Sequence, residues 1–221
     1  MRVKLIKFTQ NSEQICAMAA RLCYSDIDVD EILDKLTVDK IEKLLLKVIS
    51  SGHCSVLEHV SFTFGIEDVS RSLLAQLTRH RIASFSVQSQ RYVKFKNDIK
   101  FIIPKTIKKN GVLLKKYNNI LKNVKVLYKE LLGIGIPAED ARYILPISSA
   151  TKIIVTMNAR ELRHFFLLRC CNKAQWEIKD VACCMLEFVK KESPLLFADA
   201  GPSCIRGCCR ETFPCTKPWI K

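Results

Sequence analysis

The stretch TRHRIASFSVQSQRY, Thr78 to Tyr92, decides how the rest of the chain is read. It holds three arginines, one histidine, four hydroxyl side chains and three amide or phenol groups, and it has no carboxylate. A guanidinium in a protein is always charged, so Arg79, Arg81 and Arg91 need partners from outside the stretch. The partner is either a distant acid or an anionic ligand. Arg79 and Arg81 flank His80, while Ser89 and Arg91 bracket Gln90. Guanidinium, hydroxyl and backbone N–H groups together make a phosphate cradle, in which each charge-assisted hydrogen bond contributes about 1.5–3 kcal/mol. The plain alternative is a basic surface loop, because loops concentrate polar residues in any case.

Working outward, the stretch reads as a loop leading into Tyr92–Phe95. It follows a helix from Ser70 to about Arg79, and before that Val60–Ile66 alternates as a half-buried strand. Further upstream, Val3–Phe8 reads as a strand. A helix starts at Asn11, three residues before Gln14, and runs to about Cys23. A second helix carries Ile41, Leu44, Leu45, Val48 and Ile49 on one face and stops at Gly52. Downstream, a short strand at Phe101–Ile103 stops at Pro104. A lysine-rich helix ends at Gly133 and Gly135, and a short helix lies between Pro137 and Pro146. Residues 151–158 form a strand, and helices cover 159–171 and 174–191. Residues from Pro194 show no periodicity. The sum is one α+β domain over residues 1–193, with 194–221 as its Cys-rich tail.

The chain has 221 residues, enough for a sizeable core, and its formal net charge is +14. Such a charge suits nucleic acid, an anionic membrane surface or small polyanions. Pro104 to Lys129 holds eight lysines and no acid. Its apolar residues recur at helical spacing, so those lysines read as the solvated face of an amphipathic helix. No apolar run reaches the length of a membrane span, and the N-terminal MRVKLIKF alternates like a strand rather than a signal peptide. The 11 cysteines are odd in number and include three adjacent pairs, which suits reduced thiols in the cytoplasm better than a disulfide framework.

RHRIASFSVQSQRY (Arg79–Tyr92) resembles the signature of the flavin-dependent thymidylate synthases. Three further blocks resemble that family in the same order: SGHCSVLEHVSFTF (Ser51–Phe64), EDARYILP (Glu139–Pro146) and NARELRHFFLLRCCNKAQWEI (Asn158–Ile178). The resemblance implies a mixed α/β fold with a central antiparallel sheet flanked by helices, assembled as a homotetramer with sites at subunit interfaces. It implies conversion of dUMP to dTMP with methylenetetrahydrofolate as one-carbon donor, and with FAD, reduced by NADPH, as hydride source. By the same resemblance, Gln76, Arg79, Ser89, Gln90, Arg91, Arg142 and Arg169 bind dUMP, with Arg91 and Arg142 on the phosphate. Ser55, Glu58, Arg79, His80, Arg81, Ile82, Asn158, Arg160 and His164 bind FAD, and His53 and Tyr92 line its folate- or nicotinamide-facing side. Catalytic roles fall to Arg169, His53 and Ser89, with Arg169 beside the uracil ring. Two positions depart from the pattern. Val87 stands where relatives often place a glutamate or another polar residue, and Lys173 where some have histidine.

Other readings are weaker. Ser89 has no dedicated base near it in sequence, so it reads as a ligand donor rather than a nucleophile. His53, Glu58 and His59 do not match a metal-binding His-Glu-x-x-His, and no metal is expected. Cys204, Cys208, Cys209 and Cys215 do not fall in paired Cys-x-x-Cys spacing, so the tail reads as a redox-sensitive segment, with a metal or disulfide clip as the alternative. Cys170, Cys171, Cys183 and Cys184 read as small core residues. The rival functions are a related flavoprotein without synthase activity and a basic nucleic-acid-binding protein. The latter lacks a recognisable nucleic-acid module, and neither nucleic acid nor membrane is expected as a partner.

Overall fold

The computed structural model describes residues 1–95, 99–207 and 209–219. Strand β1 (Arg2–Phe8) leads into helices α1 (Ser12–Leu22), α2 (Val29–Lys35) and α3 (Val38–Ser50). A 3-10 turn at Cys54–His59 delivers the chain to β2 (Ser61–Ser70), which runs directly into α4 (Arg71–Leu77) and then β3 (Ala83–Val87). After an irregular stretch come α5 (Lys105–Lys108), the long α6 (Gly111–Gly133), α7 (Ala138–Ala141), β4 (Ala150–Asn158), α8 (Ala159–Arg169), α9 (Trp176–Glu192) and α10 (Pro194–Phe197). The four strands form one antiparallel sheet in the order β1-β2-β4-β3, so the architecture is α+β.

The two inner strands show why the sheet forms. Phe62, Phe64 and Ile66 of β2 are buried at every second position, as are Thr151, Ile153, Val155 and Met157 of β4. A period of two puts all of them on one face. Side-chain caps start several helices. Ser70 Oγ accepts from the Leu73 N–H, Asn110 Oδ1 from Leu113 and Asn158 Oδ1 from Glu161. Each such cap satisfies an N–H that the helix itself leaves unpaired.

Several elements differ from the sequence reading, among them the four-residue helix α10 in the segment from Pro194. Residues 83–87, read as loop, are strand β3 beside β4, and just beyond it the Gln88 N–H donates to the Lys152 carbonyl at 2.9 Å. Its exposed positions are serines, which favour turns locally, and pairing with β4 outweighs that preference. Helix α2 was not read at all. It is seven residues long, too short for periodicity to register, and the Asp28 carboxylate caps it by accepting from Glu31. The strand expected at Phe101–Ile103 is a single bridge between Phe101 and Ser149. Asn11 does open α1, but in left-handed backbone (φ 50°) and without a side-chain cap.

The chain forms two compact units. The first comprises Met1–Arg2, Ile66–Arg79 and Phe85–Ile154; the second comprises Val3–Gly65, His80–Ser84 and the chain from Val155 onward. All four strands contribute residues to both. In the first unit, Ile99, Tyr128 and Ala141 form a buried cluster against which Phe95, Phe101, Leu131 and Leu145 pack. In the second, Phe8 stacks on Phe62 at 5.9 Å, and Phe197 meets Phe62 and Phe166 edge-on at 5.4 and 6.1 Å. Burying each such ring contributes about 1.5–3 kcal/mol. Cys170 is buried as expected, but Cys171, Cys183 and Cys184 are only half-buried. Cys208 of the tail cluster lies outside the described residues. Among the described residues, no helix is long and apolar enough to cross a membrane.

Candidate active site

In the first unit, Arg71 lies within electrostatic reach of Arg142. Arg71 opens α4, and its backbone N–H donates to the Ser149 carbonyl at 3.1 Å while that of Ser72 donates to Ile147 at 3.0 Å. The start of α4 therefore lies along residues 147–149. The Nη1 of Arg71 is buried and has no hydrogen-bond partner. Burial, and after it the neighbouring Arg142 guanidinium, push its pKa down. Gln90 Nε2, Ser148 Oγ and Thr151 Oγ1 are likewise buried without partners. A buried donor left unpaired costs about 1–3 kcal/mol, and two cations side by side add repulsion. An oxyanion with several acceptor oxygens removes both costs at Arg71, so Arg71 with Arg142 fits a phosphate.

The acid missing from Thr78–Tyr92 comes from α7. Arg91 donates through Nε to Glu139 Oε2 at 3.0 Å, and its Nη2 pairs with the same oxygen at 3.0 Å. The Glu139 carbonyl accepts from Arg142 Nε at 3.1 Å, so a single residue orients both arginines. Ser89 Oγ accepts from the Arg91 N–H at 3.2 Å, and the Arg91 guanidinium lies 5.4 Å from the Tyr92 ring centroid.

In the second unit, α8 carries Glu161, Phe165 and Arg169 at four-residue intervals, which aligns them on one face. His80 packs against that face. Its ring meets Phe165 edge-on at 4.9 Å and lies 5.9 Å from the His164 ring. Its Nδ1 is 2.8 Å from Glu161 Oε1, and its Nε2 accepts from Arg169 Nε at 3.1 Å. Arginine Nε–H can only donate, so Nε2 must hold a lone pair and Nδ1 the proton. Burial is the largest influence on His80 and depresses its pKa, against the raising effect of Glu161; Arg169 and His164 also lower it. Nearby on the same unit, Arg160 pairs with Glu58. Arg81 and Ile82 are exposed, as are His53, Ser55 and His164.

The structure sorts the expected residues by unit. Gln76, Arg79, Ser89, Gln90, Arg91, Tyr92 and Arg142 belong to the first. His53, Ser55, Glu58, His80, Arg81, Ile82, Asn158, Arg160, His164 and Arg169 belong to the second. Thus the expected dUMP residues fall in one unit apart from Arg169, and the expected flavin residues in the other apart from Arg79. Two residues escaped the sequence reading. Arg71 carried a legible signal, since a cation in the first turn of a helix opposes the helix dipole. Glu161 carried none, because its partner His80 lies 81 residues away. Lys173 lines a cavity of about 500 Å³ together with Cys171, Cys204, Cys209 and Cys215. Among the described residues, no three His, Cys, Asp or Glu side chains are placed to hold a metal ion.

A family model described as thymidylate synthase complementing protein matches residues 4–195. A flavin-dependent thymidylate synthase of Geobacter sulfurreducens is 48% identical over 212 residues, covering 96% of this chain and 91% of that one. Proteins of the same name from Clostridium tetani and Pyrococcus furiosus are 45% and 43% identical, covering 96% of this chain and 91% and 90% of theirs. The chain belongs to the family of flavin-dependent thymidylate synthases. It is accordingly an enzyme, a methyltransferase that depends on a flavin. The family match contains both the Arg71–Arg142 group and the Glu161–His80–Arg169 group of this synthase-family chain, whereas Cys204, Cys209 and Cys215 lie beyond it.

Proposed function

We propose that the protein converts dUMP to dTMP, taking its one-carbon unit from methylenetetrahydrofolate and releasing tetrahydrofolate. The observation that carries the substrate choice is the buried, unpartnered Nη1 of Arg71 beside Arg142. In this reading Arg71, Arg91 and Arg142 take the nucleotide phosphate. Gln76, Arg79, Ser89 and Gln90 hold the rest of the nucleotide. Arg169 places a positive charge beside the pyrimidine, where it stabilises negative charge as C5 becomes nucleophilic, an electrostatic role that needs no cysteine adduct. His53 and Tyr92 line the folate or nicotinamide side.

The cofactor would be FAD, which supplies the hydride after reduction by NADPH. A set rich in cations and hydroxyl or amide groups suits its pyrophosphate and ribityl chain: the exposed Ser55, Arg79, Arg81, Arg160 and His164 and the half-buried Asn158, with Glu58 orienting Arg160. Ile82 offers an apolar contact, 68% exposed. His80 would join through its backbone, since both ring nitrogens are engaged. The protein would act in the cytoplasm as a homotetramer, with residues 1–193 as the synthase domain and 194–221 as its tail. Self-association is supported by α6, which leaves Leu113, Ile120, Leu127 and, just past its end, Ile134 exposed at seven-residue intervals.

The test is the visible spectrum of the purified protein, followed by addition of dUMP and NADPH without and with methylenetetrahydrofolate. A flavin spectrum that bleaches, then folate-dependent dTMP, is the expected result. Bound flavin without dTMP would point to a flavoprotein that lacks synthase activity. Failure to bind added FAD, with salt-sensitive binding of nucleic acid instead, would overturn the proposal.

A further inference from the structure

We propose that Glu161 and His80 are positioning residues: Glu161 holds His80 in its Nδ1-protonated tautomer, and the Nε2 lone pair so exposed fixes the guanidinium plane of Arg169. The chain of contacts is short and enclosed. Glu161 Oε1 lies 2.8 Å from His80 Nδ1, and Arg169 Nε lies 3.1 Å from His80 Nε2. The side chains of His80 and Glu161 are 3% and 8% exposed, so water offers neither an easy substitute partner. Phe165, edge-on to the imidazole, restricts the ring from the side. All four residues lie in the second unit, three of them on one face of α8.

The chemistry of the three groups makes the order of control one-way. Arg169 Nε–H only donates, and a carboxylate only accepts. An imidazole between them must therefore be neutral, with its proton on Nδ1. Without the carboxylate, the ring is free to carry its proton on Nε2, which sets donor against donor and turns Arg169 away. Protonating His80 has the same effect and adds the repulsion of two cations. A buried ionised carboxylate is costly to keep, and here its hydrogen-bonded partner is a ring aimed at the arginine argued above to face the pyrimidine. The inference rests on that reading for the reaction Arg169 serves, but the tautomer itself does not depend on it.

The charged and titratable groups acting on His80 are Glu161, Arg169 and His164, and burial outweighs them in depressing its pKa. His80 thus stays neutral as pH falls through the ordinary histidine range near 6.5 and protonates only below it. The acid limb of kcat that belongs to this residue should lie below that range. Glu161 raises the pKa of His80, so removing its charge should move the limb further down.

The experiment uses the full-length holoprotein with nitrogen-15 in its histidine rings, as wild type, Glu161→Gln, Glu161→Leu and His80→Gln, the last to assign the signal. The wild type should show His80 as the Nδ1–H tautomer at neutral pH. Glu161→Gln keeps an acceptor and should keep the tautomer and most of kcat, with its acid limb shifted down. Glu161→Leu should lose the tautomer and roughly a hundredfold in kcat, as a misplaced catalytic group does, while flavin content and the KM for dUMP change little. An Nε2–H tautomer in the wild type, or wild-type kcat in a folded Glu161→Leu, overturns the proposal. If Glu161→Leu does not fold, an unshifted acid limb in Glu161→Gln overturns it instead. A wild type with the expected tautomer but no dTMP formation sinks the synthase reading and leaves the positioning contact standing.

Discussion

A cation in the first turn of a helix faces the positive end of the helix dipole, and Arg71 does so with one nitrogen buried and a second guanidinium beside it. Bound phosphate relieves all three penalties. Arg71→Ala should therefore raise the KM for dUMP about tenfold to a hundredfold, the value of one charge-assisted contact, without lowering flavin content. Unchanged dUMP binding in steady-state kinetics would remove Arg71 from the phosphate site. The thiols also separate at this scale. Burial pushes the Cys16 thiol up to about 12, and Cys170 is raised by its hydrogen bond with Cys183. Cys215 is lowered by the Asn172 amide, which donates to its sulfur from 3.5 Å. Because the thiolate is the nucleophile, brief iodoacetamide treatment of the native protein should label Cys215 ahead of Cys16 and Cys170, as peptide mass mapping would show. Early modification of Cys16 would contradict that order.

Helix α6 has two apolar faces with different fates. One buries Leu121 and Tyr128. The other presents Leu113, Ile120 and Leu127 at 51%, 61% and 42% exposure, with Ile134 following at 78%. A repeat of seven residues is the seam that helices use to pair, and a lysine placed in such a seam opposes pairing. Replacing Ile120 and Leu127 together by lysine should reduce the molar mass measured by light scattering after gel filtration and cut dTMP formation with it. The melting temperature of the dissociated chain should fall little, since both side chains are exposed in the single chain. A double variant of parental size would show that α6 is not the seam. The sequence reading traces the stripe through Leu121 and Tyr128 and takes the remainder as a solvated lysine face, passing over Ile120 and Leu127. It could not separate the stripe that packs within the chain from the stripe that does not, because both have the same spacing.

At the scale of the molecule, the net charge of +14 creates a field that every anionic substrate meets before any contact forms. Screening shortens that reach from about 30 Å at 0.01 M salt to about 10 Å at 0.1 M. The KM for dUMP should rise with sodium chloride across this range while kcat holds. A flat KM would confine the role of charge to the pocket.

Local chemistry made much of this protein legible from the sequence alone. Alternation marked β1 and β2, helical spacing marked α3 and α6, Asn11 marked the start of α1, and the acid-free run from Thr78 to Tyr92 marked a place where cations need a partner. These signals survive in one dimension because they depend on neighbours within a few residues. What the sequence could not supply was the partner. Arg91 finds Glu139 48 residues away, His80 finds Glu161 81 residues away, and Arg71 finds Arg142 only because residues 147–149 run beside α4. Strand β3 likewise exists because β4 lies beside it, against the local preference of its serines. Tautomer, unpaired donor and shifted pKa are properties of pairs brought together by folding, and desolvation gives those pairs their energy. They were therefore decided by the tertiary structure.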